Sequence, residues 1–202
     1  MDEQLINYQI YLKLIHERLL DKYFAEQAPY LCCKDGCSHC CKKGQYPMSD
    51  IEVKYIMIKF ASLDTEKRNE ILTNIQNVLE ERKICNSAEK FFYQCPFLLN
   101  DSCSVYENRA IICRTHGLMF FIEDNEGNEK YKVPYCVNLG LNYANVYDTE
   151  AKTVTEEAWK NSGIDVLPQA YNLSLKTLTN LDITSNLGLE FKNIKPLIEW
   201  FM

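Results

Sequence analysis

The chain reads Cys32-Cys33-Lys34-Asp35-Gly36-Cys37-Ser38-His39-Cys40-Cys41 in its first quarter, and this one stretch holds five of its ten cysteines. The other five are spread over residues 85–136. Thiols at this density cannot all be packing residues, because a buried free cysteine behaves as one small hydrophobe among many. The stretch therefore predicts disulfides, a metal site or redox chemistry, and we expect the middle of the chain to fold around it.

The overall composition is that of an ordinary globular protein. The 202 residues are 47% apolar, 12% aromatic and 25% charged, which is typical of such chains and enough to bury a core. We expect a single domain over residues 1–202. The net charge of −6 argues against nucleic-acid binding, because contacts to phosphates need clustered lysine and arginine.

The N-terminus and the hydropathy pattern predict the compartment. The chain starts Met1-Asp2-Glu3-Gln4, which is acidic where a signal peptide needs a basic start and an apolar run. No stretch of the sequence approaches the ~18 consecutive apolar residues of a membrane span. These features predict a cytoplasmic protein with no membrane partner. Because cytoplasmic thiols stay reduced, the cysteines then indicate a metal or redox site rather than disulfides.

Hydrophobic periodicity predicts a mainly helical α+β fold. Apolar residues recur at helical spacing along much of the chain. Ser49 with Glu52 has the pattern of a capping box, which predicts the start of one helix. The predicted helices cover residues 3–24, 49–61, 64–82, 106–114 and 155–161.

The remaining segments predict a small hairpin and packing elements. Strands over residues 118–122 and 130–135 are expected to pair around a turn at 124–128, with Cys136 at the end of the second strand. The cysteine-rich, metal-binding core is expected to cover residues 30–140. An N-terminal helix within residues 1–25 and a C-terminal segment over 142–202, with an apolar end, are expected to pack around it.

Cysteines at metal-ligand spacing form the candidate ligand set. Short loops let cysteines two to four residues apart converge on one ion, and remote cysteines then close the site. All-sulfur ligation selects zinc, copper(I) or an iron–sulfur cluster, and disfavours magnesium, calcium and manganese. The candidate metal ligands are Cys33, Cys37, Cys40, Cys41, Cys95, Cys103, Cys113 and Cys136.

The spacing favours iron–sulfur over zinc. A structural zinc takes four ligands in a closed tetrahedron, and the adjacent Cys40 and Cys41 seldom both fit one such site. A [4Fe–4S] cluster is larger and tolerates run-like spacings such as Cys-x2-Cys. We therefore favour a [4Fe–4S] cluster and keep Zn²⁺ as the alternative.

Part of the stretch also has the spacing of the radical S-adenosylmethionine motif. In that motif three cysteines, here Cys33, Cys37 and Cys40, leave one iron open for the cofactor. Those enzymes usually carry the motif on a β/α barrel, whereas this sequence shows no run of alternating strands and helices. Cys41 and the later cysteines could also fill the open position. S-adenosylmethionine is therefore an alternative cofactor.

Two blocks of sequence carry a resemblance to a known family. The first is Cys33-Lys-Asp-Gly-Cys37-Ser-His-Cys40-Cys41. The second runs from Cys95-Pro96-Phe97-Leu98 through Cys103-Ser104-Val105-Tyr106-Glu107-Asn108-Arg109 to Cys113-Arg114. Over residues 30–140 these blocks resemble the YkgJ-type cysteine-cluster (CxxCxxCC) family, whose domains are described as chelating zinc or iron.

The sequence departs from the family pattern at a few positions. Ala110 stands where the family commonly has proline, which changes the start of a helix. Val137-Asn138 stands where the family often has Pro-Gly, which bears on the role of Cys136. Cys32 and Cys85 have no counterpart in the family pattern and are not expected to bind metal.

The resemblance implies two kinds of function. A binding module would use its metal for structure, or would store it and pass it to a metal-transfer partner. The flagellin lysine N-methylases are related to the same family, which implies a cluster-dependent enzyme as the alternative. Such an enzyme would methylate lysines of a protein substrate with S-adenosylmethionine. No residue of this sequence is marked out as catalytic.

Two arginines flank Cys113 and are candidate cofactor-binding residues. Arg109 and Arg114 could offset the negative charge of several thiolates, or hold the carboxylate of S-adenosylmethionine. The alternative is an internal salt bridge with Glu107 or Asp101.

Two histidines are further candidates near the metal. His39 lies inside the first cysteine block, where the surplus of thiolates disfavours it as a ligand. His116 follows the second block and could be a ligand or a hydrogen-bond donor to one, or a simple turn residue.

Overall fold

The computed structural model describes residues 2–87, 91–123 and 126–202. The chain divides into two compact units, each assembled from separate stretches of sequence. The first unit comprises Met1–Tyr8, Lys34–Arg114 and Leu189–Met202, and the second comprises Gln9–Cys33 and Thr115–Gly188. The single domain expected over residues 1–202 stays a prediction, and so do its core and packing segments.

Helices make up most of the regular structure. In chain order they are α1 (Glu3–Ile15), α2 (Asp21–Glu26), α3 (His39–Lys42), α4 (Asp50–Ser62), α5 (Thr65–Ile84), α6 (Ile111–Thr115), α7 (Glu156–Ser162), α8 (Leu175–Leu178) and α9 (Asp182–Asn186). A π-helical turn, His16–Leu20, joins α1 to α2. Short 3₁₀ turns lie at Ala28–Tyr30, Tyr106–Asn108, Tyr135–Leu139, Ala144–Val146 and Leu197–Phe201. Among the described residues, no helix has both the length and the apolarity that crossing a membrane would require.

The strands are short, and each pairs with one other strand in a two-stranded antiparallel sheet. In chain order they are β1 (Pro47–Met48), β2 (Leu98–Leu99), β3 (Ser102–Cys103), β4 (Phe120–Glu123), β5 (Glu129–Lys132), β6 (Tyr147–Asp148), β7 (Thr153–Val154) and β8 (Lys195–Pro196). The pairs are β1 with β8, β2 with β3, β4 with β5, and β6 with β7. The fold is therefore α+β and mainly helical, which confirms the predicted class.

Two capped helices form the frame of the first unit. The backbone N–H of Ser49 donates to the carboxylate of Glu52 at 2.8 Å, so the predicted capping box begins α4. The carboxylate of Asp64 accepts from the N–H of Lys67 at 2.9 Å and begins α5. Each cap pairs an N–H group that the helix itself cannot satisfy. The two predicted helices in this region are confirmed.

The apolar end of the chain packs into the first unit. Leu197 and Ile198 are at most 1% exposed, and the indole N–H of Trp200 donates to the carbonyl of Met48 at 3.1 Å. The fully or nearly buried members of this core are Tyr46, Met48, Val53, Ile56, Ile71, Ile75, Val78, Phe91, Tyr93, Cys95, Phe97, Leu99, Val105, Ala110, Leu197 and Ile198.

The second unit contains the predicted hairpin. Phe121 of β4 lies opposite Tyr131 of β5, and Ile122 lies opposite Lys130. Of the expected turn at residues 124–128, positions 124 and 125 lie outside the described residues. The buried residues at the centre of this unit are Tyr30, Met119, Tyr143 and Val146.

Two sequence predictions need correction. The helix expected over residues 106–114 is a 3₁₀ turn followed by α6, because the backbone at Arg109 is extended, with ψ of 144°. Cys136 does not end a strand: β5 stops at Lys132, and Cys136 lies in the 3₁₀ turn that follows Pro134. Proline has no N–H to donate to a strand ladder, which favours this early stop.

Candidate metal centre

Five thiols from separate stretches of the first unit lie together. Cys40 and Cys41 are on α3, Cys95 precedes β2, Cys103 ends β3 and Cys113 is on α6. The sulfur atoms of Cys40 and Cys41 are 3.9 Å apart. Each of the five interacts electrostatically with at least two of the others. We call these five residues the thiol cluster.

Backbone hydrogen bonds fix the loop after α3 against the segment before β2. The N–H of Cys95 donates to the carbonyl of Cys41 at 2.8 Å, and Gly44 and Tyr93 exchange two backbone hydrogen bonds of 3.0 Å. The hydroxyl of Tyr46 donates to the Cys41 carbonyl at 2.8 Å. Tyr46 has a φ of 52°, which is uncommon for a bulky residue. These contacts hold the backbone that carries the first two thiols.

Asp101 connects α3 to the hairpin of β2 and β3. Asn100 and Asp101 have φ values of 48° and 59°, as a two-residue hairpin turn requires. The carboxylate of Asp101 accepts from the Ser38 hydroxyl at 2.7 Å and pairs with the Lys42 ammonium at 2.7 Å. Hydrogen bonds, first from Lys42 and then from Ser38, lower the pKa of Asp101. Asp101 therefore forms its salt bridge with Lys42. The alternative raised from the sequence was a salt bridge of Asp101 with Arg109 or Arg114.

Glu52 fixes the start of the helix that carries Cys113. The N–H of Ile111 donates to the Glu52 carboxylate at 3.0 Å, and Glu52 is only 1% exposed. Burial raises the pKa of Glu52, while hydrogen bonds from Ser49, Ile111 and Tyr8 partly offset the rise. One buried carboxylate therefore begins both α4 and α6.

Burial and interactions with neighbouring thiols raise the pKa values of four members of the cluster, Cys41, Cys95, Cys103 and Cys113. Burial is the largest cause at Cys95, whose pKa rises to about 12, and also at Cys103 and Cys113. At Cys41 the largest cause is the hydrogen bond with Cys40, followed by burial. Because neighbouring thiolates repel each other, the cluster needs a compensating positive charge before several of its members can ionise. A bound metal cation supplies such a charge.

Arg109 lies beside the thiol cluster. Its guanidinium stacks on the exposed ring of Tyr106, with 3.6 Å between the guanidinium carbon and the ring centroid. Its positive charge lowers the pKa values of Cys103 and Cys113, against the larger effect of burial. Its buried Nε donates to none of the described residues. Arg109 therefore contributes positive charge near this site, and its Nε–H is left without a described partner.

The guanidinium of Arg114 is hydrogen-bonded to backbone carbonyl groups of the chain itself. Its Nε donates to the carbonyl of Arg109 at 3.0 Å, and another of its nitrogens donates to the carbonyl of Glu107 at 2.6 Å. Burial, followed by the charge of Arg109, lowers the pKa of Arg114. These bonds satisfy carbonyl groups at the break between the 3₁₀ turn and α6. Binding of a cofactor by Arg109 or Arg114 stays a prediction.

The other predicted ligands lie elsewhere in the chain. Cys37 belongs to the first unit, where its N–H donates to the carbonyl of Lys34 at 2.9 Å. Cys33 and Cys136 belong to the second unit, and their part in a metal site stays a prediction. Within residues 2–87, 91–123 and 126–202, no three His, Cys, Asp or Glu side chains are arranged to hold one metal ion. The thiol cluster nevertheless brings together sulfur donors, and sulfur donors fit zinc or iron.

The candidate histidines His39 and His116 lie in different surroundings. So does Cys85, a cysteine outside the family pattern. His39 is close enough to Asp101 to contribute, after Lys42 and Ser38, to the lowering of its pKa. His116 belongs to the second unit. The thiol of Cys85 donates to the carbonyl of Ser87 at 3.3 Å. None of these observations adds a ligand to the predicted set.

Asn142 contacts Cys33 in the second unit, and the sequence analysis did not single out this residue. The side-chain nitrogen of Asn142 is 3.2 Å from the Cys33 sulfur and 3.0 Å from the carbonyl oxygen of Gly117. Its side-chain oxygen accepts from the N–H of Cys32 at 2.7 Å. Because 109 residues separate Asn142 from Cys33, no local pattern could have linked them.

A mainly helical α+β chain with clustered thiols of this kind is a metal-binding cysteine-cluster protein. More particularly, the chain belongs to the CxxCxxCC family, described as a putative zinc- or iron-chelating domain, which it matches over residues 32–137. That range contains the whole thiol cluster and the three other predicted ligands. No curated protein and no solved structure matches this chain. The family confirms the resemblance seen in the sequence and supports metal binding through cysteines.

Proposed function

We propose that this protein holds an iron–sulfur cluster, or zinc as the alternative, through cysteine thiolates. The observation that carries the proposal is the thiol cluster of the first unit, in which four separate stretches of sequence bring sulfur atoms within electrostatic range of one another. The candidate ligands are the five thiols of this cluster and, as separate candidates, Cys33, Cys37 and Cys136. A cytoplasmic location, where thiols stay reduced, belongs to the same proposal.

Iron–sulfur is favoured by the two neighbouring thiols on α3. Their sulfur atoms are 3.9 Å apart on adjacent residues, and one tetrahedral zinc seldom takes both members of such a pair. A [4Fe–4S] cluster is large enough to take its ligands from several positions around it.

Metal and acid-labile sulfide analysis of protein purified without oxygen tests this proposal. We expect iron and sulfide in near-equal amounts, together with visible absorption. Protein that contains zinc and no sulfide would contradict the iron–sulfur assignment and support the zinc alternative. Protein purified and reconstituted without uptake of either metal would contradict metal binding altogether.

A cluster-dependent enzyme that modifies a protein substrate is the second candidate function. It is supported by Arg109, whose positive charge acts on Cys103 and Cys113 and whose buried Nε–H has no partner among the described residues. A carboxylate such as that of S-adenosylmethionine would pair with this donor. Without such a ligand, Arg109 would only offset thiolate charge, and the protein would use its metal for structure or pass it to a metal-transfer partner.

We expect Arg109→Gln to weaken S-adenosylmethionine binding at least about 10-fold if the enzyme hypothesis holds, because a hydrogen bond to a charged group contributes about 1.5–3 kcal/mol. Equilibrium dialysis of the metal-loaded protein measures this. Arg82→Gln is the matched control, since Arg82 also lies over an aromatic ring, that of Phe91. Equal binding by wild type and Arg109→Gln, or no binding by wild type, would contradict the enzyme hypothesis.

A further inference from the structure

The hydrogen bonds of Asn142 determine which end of its amide faces Cys33. The backbone N–H of Cys32 can only donate, so the atom that it meets at 2.7 Å is the amide oxygen. The carbonyl of Gly117 can only accept, so the atom 3.0 Å from it is the amide nitrogen. That same nitrogen lies 3.2 Å from the Cys33 sulfur. The sulfur of Cys33 therefore faces an N–H donor.

Gly117 makes room for this arrangement. A Cβ at this position would lie 3.0 Å from the Cys33 sulfur and 3.2 Å from the Asn142 nitrogen. Gly117 also has a φ of 106°, a conformation that residues with a side chain rarely adopt. A larger residue at position 117 would therefore displace both the thiol and the amide that faces it.

The residue after Asn142 is held in a strained conformation by several contacts. Tyr143 has a φ of 61° and is fully buried. Its N–H donates to the carbonyl of Tyr30 at 2.9 Å, and its hydroxyl accepts from the N–H of Met119 at 3.3 Å. Its ring also stacks on that of Tyr30, with 5.4 Å between centroids. Such strain persists only where several surrounding contacts hold the backbone in place. Here the contacts of Tyr143 fix the backbone that presents Asn142.

We propose that Asn142 is a positioning residue that holds the sulfur of Cys33 ready to bind metal. The ligand role of Cys33 in this proposal rests on the proposed function. A donor to a ligating sulfur fixes its orientation and withdraws part of its negative charge. Asn142 is 1% exposed, and each of its side-chain polar atoms has a partner. It therefore acts through Cys33 and does not itself bind the metal.

Cobalt(II) loading of the full-length, metal-free protein tests this proposal, because thiolate-to-cobalt absorption reports how many thiolates bind. The variants are Asn142→Asp, which turns an oxygen towards the sulfur, and Asn142→Ala, which removes the donor without adding charge. Asn145→Asp is the control, since it adds the same charge at an exposed position of the same unit. Alkylation of the loaded proteins with iodoacetamide, mapped by mass spectrometry, shows which thiols the metal protects.

We expect both Asn142 variants to expose Cys33 to alkylation, to lose thiolate-to-cobalt absorption and to bind cobalt about 10- to 100-fold more weakly. Asn142→Asp should have the larger effect, and protection of Cys40 and Cys113 should not change. A purely structural role would lower the protection of all the thiols together. Cys33 protection and absorption equal to wild type in the two variants would overturn the proposal.

The outcome for wild type separates this inference from the proposed function. Cobalt uptake without protection of Cys33 would overturn the role of Asn142 and leave the thiol cluster as the metal site. No cobalt uptake by wild type would overturn both.

Discussion

Cys40→Ser is expected to remove bound metal and, with it, the stability that the metal gives to the first unit. Cys40 interacts with all four other thiols of the cluster, and a serine hydroxyl is a poor ligand for metals that prefer sulfur. A ligand that binds only the folded chain stabilises it by about 4 kcal/mol at a thousand times its dissociation constant. We expect a loss of this order, measured by urea unfolding of the metal-loaded protein.

Cys85→Ser is the matched control for that experiment. Cys85 is half-buried like Cys40, but its thiol donates to the carbonyl of Ser87, and a serine hydroxyl can make the same hydrogen bond. We expect unchanged metal content and a change in unfolding free energy of about 0.5 kcal/mol or less. In excess chelator the large difference between Cys40→Ser and wild type should disappear.

Two results would count against this account of the ligands. Unchanged metal content in Cys40→Ser would remove Cys40 from the ligand set. Loss of metal in Cys85→Ser would show that the ligand set suggested by the family pattern is wrong.

Local signals made the two capped helices of the first unit predictable. Ser49 and Glu52 are three residues apart, so the hydrogen bonds that begin α4 lie within one turn of sequence. Asp64 caps α5 in the same short-range way. The apolar stretches that follow these caps supply the buried faces of both helices. Elements of this kind depend on neighbours in sequence, and the prediction succeeded for that reason.

Contacts between distant residues were beyond such signals. Asp101 pairs with Lys42 and Ser38, which lie about sixty residues earlier in the chain, and nothing local distinguishes it from other turn residues. Cys33 and Cys37 are four residues apart, yet they belong to different compact units. Spacing and the family pattern together named the candidate thiols, but only the folded chain shows which of them lie together.

Glu52 combines both kinds of contact in one side chain. Its carboxylate accepts from the N–H of Ser49 at 2.8 Å, which the capping-box pattern predicts, and from the Ser49 hydroxyl at 2.7 Å. It also accepts from the N–H of Ile111 at 3.0 Å, which is 59 residues away. The second contact connects the scaffold helix α4 to α6, the helix that carries Cys113.

Glu52→Ala is expected to lower the unfolding free energy by about 3 kcal/mol, because an unsatisfied buried donor costs about 1–3 kcal/mol. The change leaves the N–H groups of Ser49 and Ile111 without their acceptor. Urea unfolding of metal-free protein measures the loss without interference from the metal site. Glu66→Ala is the control, since Glu66 is an exposed residue in the first turn of α5 and should change the free energy by less than about 0.5 kcal/mol.

The sign of the pH dependence gives a further check on Glu52. Burial raises its pKa above the ordinary value of 4.5, so the native state takes up a proton more readily than the unfolded chain. The cost of the buried charge is therefore present above the native pKa and is relieved as the pH falls from there towards 4.5. The difference in unfolding free energy between wild type and Glu52→Ala should accordingly grow on acidification through this window. A difference that shrinks instead would mean that the hydrogen bonds to the ionised carboxylate outweigh its burial.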